Sequence, residues 1–114
     1  MRNSRHDEAG REAEQTARIT CQFRDRNNMV YELDCRGRQL SFTMSGAPRE
    51  GGLWQAGASV RHSEASPALS GSGASRGDAL GAVAEEWQRR GEPAGYPILD
   101  WAAIRAALVA VRAV

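Results

Sequence analysis

At 114 residues the chain has the size of one domain, and a fold of that length buries roughly two-thirds of the surface its unfolded form exposes, enough for one core and not two. The 15 Lys+Arg and 14 Asp+Glu leave a net charge of +1, which excludes a global field drawing in nucleic acid or an anionic membrane. A hydrophobic fraction of 41% and a charged fraction of 25% are ordinary for a globular protein and predict a packed core.

Residues 1 to 16 are charged or small and show no apolar periodicity, so they predict a flexible N-terminal arm ahead of a single domain over 17–114. The opening Met1-Arg2-Asn3-Ser4-Arg5-His6-Asp7-Glu8 leads into no apolar run. This predicts neither a signal peptide nor a transmembrane segment, no membrane partner, and a cytoplasmic location. There is no lysine. Every basic residue is therefore an arginine, and with the abundant Ala and Gly this reads as a GC-rich, bacterial-type composition, not as a sign of RNA binding.

From Arg18 the pattern has period two. Ile19, Cys21 and Phe23 alternate with Thr20, Gln22 and Arg24, the mark of a half-buried strand. After Arg26-Asn27-Asn28, a second alternation of Met29, Tyr31, Leu33 and Cys35 against Val30, Glu32 and Asp34 predicts an antiparallel hairpin. Centred on Asn28, its register sets Phe23 against Leu33, Cys21 against Cys35, and Arg24 against Glu32 on the other face. A slip of one residue would expose the apolar set.

A two-residue turn at Arg36-Gly37 then pairs Leu33 with Leu40, Tyr31 with Phe42 and Met29 with Met44. Three strands share one apolar face, and their other face is nearly all polar, as in an antiparallel sheet wet on one side. The turn formers Ser45 to Gly52 predict a loop. A fourth strand follows, with Trp54, Ala56, Ala58 and Val60 against Gln55, Gly57, Ser59 and Arg61. Around Ala68-Leu69-Ser70 the chain can extend once more, with Pro67 confining that segment to an edge.

Ser75 has the spacing of an N-cap with Asp78 at the third position, and Leu80, Val83, Ala84 and Trp87 recur at helical spacing up to a stop at Gly91. Glu85 and Arg89, and Glu86 and Arg90, sit at i,i+4 on its outer face. The run Gly91 to Pro97, with two prolines and two glycines, is a connector. Asp100 caps a second helix whose buried stripe is Trp101, Ile104, Leu108 and Val111. The predicted fold is α+β: a four-stranded antiparallel meander with two C-terminal helices on its apolar face, in the order β-β-β-β-α-α.

Chemistry is sparse. Cys21, Cys35, His6 and His62 are the soft ligands, without the paired short spacings of a zinc site. No metal or cofactor is predicted. With no secretory signal the two cysteines read as reduced core thiols. His62 beside Glu64 has the makings of a general base and is the first residue to inspect if the chain is an enzyme, but no nucleophile elbow accompanies it. The run Gly71-Ser72-Gly73-Ala74-Ser75 precedes a helix without a Walker lysine or dinucleotide-binding spacing, so it reads as a capping loop.

The run Gly71 to Arg76, with Ala79 and Ala84 after it, resembles the loop and helix start of double-stranded RNA-binding domains, and Gly73 to Leu80 is similar to the helix start of HicB-type antitoxins. Either resemblance spans about fifteen residues. The first family holds phosphates with lysines at that helix start, where this chain has Gly77 and Asp78.

Balanced charge, no reactive constellation and an accessible sheet edge lead to the expectation of a non-enzymatic interaction or accessory domain that binds a protein partner or itself. The alternative is a nucleic-acid-binding module using Arg24, Arg36 and Arg38 of the sheet and its turns.

Overall fold

The computed structural model describes residues 17–46, 52–61, 63 and 67–114. The predicted N-terminal arm, residues 1 to 16, lies outside the described residues, as do His62 and Glu64. Five strands form one antiparallel sheet in sequence order: β1 (Ala17–Asp25), β2 (Asn28–Cys35), β3 (Arg38–Gly46), β4 (Trp54–Val60) and β5 (Ala68–Gly73). Two helices follow, α1 (Arg76–Glu86) and α2 (Trp101–Ala110). The class is α+β as expected, but the sheet has five strands and not four. The segment after Pro67 pairs along its whole length with β4, from Ser59↔Ala68 to Trp54↔Gly73. Proline at its entrance fixes it at the edge without stopping it.

The β2–β3 hairpin has the expected register, with Leu33↔Leu40, Tyr31↔Phe42 and Met29↔Met44. Its turn has φ of 54° at Arg36 and 83° at Gly37, the pair of positive angles that a type I′ turn needs to match the twist of the strands. Asp34 Oδ1 accepts from the Gly37 amide at 2.9 Å and steadies it.

The β1–β2 register differs from expectation. The turn is the two residues Arg26-Asn27, with Asp25↔Asn28 flanking it, so Phe23 lies opposite Val30 and Cys21 opposite Glu32. That offset turns both side chains away from the core. A bulge at Thr20, between Ile19 and Cys21, restores the other parity, and Ile19↔Leu33 and Ala17↔Cys35 return to the apolar face. The Thr20 hydroxyl donates to the Glu32 carbonyl oxygen at 3.2 Å across the bulge. Cys21 and Cys35 are therefore not neighbours: Cys21 is exposed and Cys35 buried.

Both helices lie on the apolar face, α1 over β4 and β5 and α2 over the start of β1 and the adjoining β2. Ser75 caps α1 by accepting from the Asp78 amide at 3.0 Å, and Asp100 caps α2 by accepting from Ala103 at 3.0 Å, both as the sequence predicts. After α1 a π-helical turn, Trp87–Gly91, carries Trp87 into the core. Its ring lies 6.0 Å from Trp101 and 5.0 Å from Tyr96, and Trp101 meets Phe42 edge-on at 5.9 Å. The Trp87 indole N–H donates to the Pro97 carbonyl oxygen at 2.8 Å, which anchors the connector to the core. On the outer face, Glu86 pairs with both Arg89 and Arg90, and the Arg89 hydrogen bond, foremost, holds its carboxyl below the usual range.

Candidate interaction surface

The bulge decides what the sheet presents to the outside. On the open face, cross-strand neighbours from β1 to β5 form the row Phe23, Val30, Thr43, Gly57 and Ser70. Phe23 is 61% exposed. Among the described residues its cross-strand neighbour is half-buried Val30, and exposed Cys21 lies two residues away on the same face. Further along, Ser41, Thr43, Gly57, Ser59 and Ser70 line a shallow trough of about 330 Å³. Next to it Glu32 pairs with Arg61. The open face thus carries an apolar corner at β1, a hydroxyl-lined floor and the Glu32–Arg61 ion pair.

Among the described residues no helix covers β1 past the bulge, where every residue from Thr20 to Asp25 is exposed. Gln22 and Arg24 stand on the helix-bearing face, opposite Tyr31 and Met29, yet beyond the reach of α2. Sequence reasoning missed this surface because strict alternation of Ile19, Cys21 and Phe23 reads as one buried stripe. The signal that bears on it is the short turn. A two-residue Arg26-Asn27 connection forces an odd offset, and an odd offset sends Phe23 outward.

The three arginines named from the sequence do not gather. Arg24 opposes Met29 at one end of the sheet, while Arg36 follows Cys35 at the other, six residues or roughly 20 Å along the strand. The predicted opposition of Arg24 to Glu32 does not form, and Glu32 takes Arg61 instead. Arg36 and Arg38 do come together, lining with Gln39, Val60, Arg61 and Ser63 a recess of about 600 Å³. Within it Arg36 is paired with Asp100 at 3.4 Å and Arg61 with Glu32, which cancels much of the positive field. Ile98, 81% exposed, stands beside Arg36 and Arg38 over the buried Cys35. Burial first, and then the nearby Asp100 carboxylate, push the Cys35 thiol above its ordinary value, so it stays protonated near neutrality.

Among the described residues no three metal-ligating side chains converge, and no helix is long and apolar enough to cross a membrane. Comparison with family models, with curated proteins and with solved structures finds no match to this chain.

Proposed function

We propose that this chain is a non-enzymatic protein-interaction domain that engages its partner along β1, with Phe23 as the anchor. The observation that carries this reading is the Thr20 bulge. A bulge re-aims side chains: with the register of the Arg26-Asn27 turn facing Phe23 outward, the Thr20 bulge returns Ile19 to the core and leaves Phe23 61% exposed beside Val30. Aromatic residues, phenylalanine among them, are enriched in protein interfaces relative to the rest of the surface, and a strand left at the edge of the described sheet adds outward main-chain groups that another chain can use.

The test is affinity purification from the native host of tagged wild-type chain and of Phe23→Ser, with an untagged copy of the chain also expressed. The reading expects at least one protein, or the untagged copy, to be retained by wild type and lost by the variant. Identical retained sets would overturn it.

The nucleic-acid reading has in its favour the Arg36, Arg38 and Arg61 recess and a ring on the open face. Two of those guanidinium groups already engage carboxylates, and single-strand binders stack successive bases on several rings. Fluorescence anisotropy with labelled oligonucleotides at two salt concentrations should find nothing tighter than about 10⁻⁵ M, the non-specific range. A tighter complex with a steep salt slope would reverse the preference.

A further inference from the structure

The backbone of β1 narrows the choice of partner, on the basis of the interaction reading above. Hydrogen bonds in an antiparallel pair alternate, so a residue that bonds to one neighbouring strand turns its peptide groups away from the other. The Gly46 amide donates to the Asn27 carbonyl oxygen, and Cys35 and Arg38 flank a two-residue turn. The odd-numbered β2 residues therefore bond to β3 and the even-numbered ones to β1. Val30 and Glu32 bond to Phe23 and Cys21, while Gln22 and Arg24 direct their N–H and C=O groups outward from the edge.

We propose that a second copy of this chain pairs there, β1 antiparallel to β1 about a two-fold axis at Phe23, joining two five-stranded sheets into one. In this register Gln22 meets Arg24 of the second copy, and Arg24 meets Gln22. All four have outward peptide groups, so the ladder closes. Cys21 faces Asp25. Phe23 faces Phe23 in the close, non-hydrogen-bonded position, where side-chain contact is strongest. Val30, Phe23, Phe23 and Val30 then form a continuous apolar stripe across the open face.

Charge and geometry disfavour the neighbouring registers. One centred on Arg24 opposes two guanidinium groups. One centred on Gln22 draws the bulged Thr20 into the ladder opposite Arg24. Odd offsets set outward peptide groups against inward ones. The Phe23-centred register alone opposes no like charges and stays clear of the bulge. The bulge also limits the ladder to Cys21 through Asp25, well short of a standard interface. Half-dimerisation is therefore expected at about 10⁻⁵ to 10⁻⁴ M.

Sedimentation equilibrium of the full chain, from about 10⁻⁶ to 10⁻³ M, tests the proposal alongside two variants. Arg24→Pro removes an outward N–H that the β1–β2 ladder does not use, a position where an edge strand tolerates proline. Phe23→Ser removes the aromatic pair. The wild type should rise from 12.4 kDa toward twice that mass, with each folded variant at least about tenfold weaker. A wild type that stays monomeric throughout overturns the proposal, as does a folded Phe23→Ser or Arg24→Pro that dimerises like the wild type. If the wild type is monomeric yet Phe23→Ser still loses another protein from the host, self-pairing falls and the interaction reading stands. If the variant loses nothing, both fall.

Discussion

The two edges of the sheet are finished in opposite ways. At β5 the strand has almost no side chains on its inner face, and α1 lies directly on the backbone. A Cβ added at Gly71 would stand 2.8 Å from the Ala82 Cβ and the Val83 nitrogen, and one at Gly73 would stand 2.6 Å from the Asp78 Cβ. Tyr96 reaches across to the Ala68 carbonyl oxygen at 3.5 Å. At β1 the side chains are larger, and from Thr20 to Asp25 they are exposed. Residue size therefore does not predict burial here. Glycine marks the covered edge, and phenylalanine the open one.

The chain has two phenylalanines, and they sharpen this contrast most. Phe42→Ala should cost about 3 to 5 kcal/mol, the usual range for a fully buried aromatic, read by chemical denaturation. A cost below about 1 kcal/mol would mean that the helices do not close over the centre of the sheet. Gly71→Val comes next. It should cost about 1 to 3 kcal/mol or more by overpacking against α1, because the nearest atoms include helix backbone. A neutral result would show that α1 stands off the β5 edge.

Next is a chemical difference. Cys21 should react with a thiol reagent at close to the rate of a free thiol, and Cys35 should be slow because it is buried and its thiol is held protonated. Two slow groups would restore the paired-cysteine register that the bulge replaces. The smallest effect is expected at Phe23, where replacement by serine should shift stability by no more than about 0.5 kcal/mol, as at ordinary surface positions. A loss as large as that at Phe42 would place the ring in the core.

Much of the fold was legible in the sequence. The β2–β3 register followed from the Arg36-Gly37 turn and the matched apolar residues on each side of it. Both N-caps followed from Ser75 and Asp100, and the Trp87–Trp101 contact from two apolar stripes that had to cover the same face. What escaped was the part where alternation is ambiguous. Ile19, Cys21 and Phe23 are equally apolar, so their pattern cannot reveal an inserted residue at Thr20 that sends the last two to the opposite face. The fifth strand was legible only as a short edge extension around Ala68-Leu69-Ser70, for a related reason: Leu69-Ser70-Gly71-Ser72-Gly73 has too few side chains to show period two over the full length of β5, though glycine is what brings α1 close enough to cover it. The candidate surface was legible only as an accessible edge. Arg24 and Arg36, grouped together in the nucleic-acid alternative, stand at opposite ends of the sheet.

The most direct test is residue-specific amide hydrogen exchange in β1, measured in dilute and in concentrated solution. In dilute solution the Cys21 and Phe23 amides should be protected by their bonds to β2, and the Gln22 and Arg24 amides should exchange freely. On concentration Gln22 and Arg24 should gain protection while Cys21 and Phe23 keep theirs. Protected Gln22 and Arg24 amides in dilute solution, with Cys21 and Phe23 exchanging freely, would contradict the account, because the Arg26-Asn27 turn would then not set the register that leaves this edge open, and no bulge would be needed at Thr20.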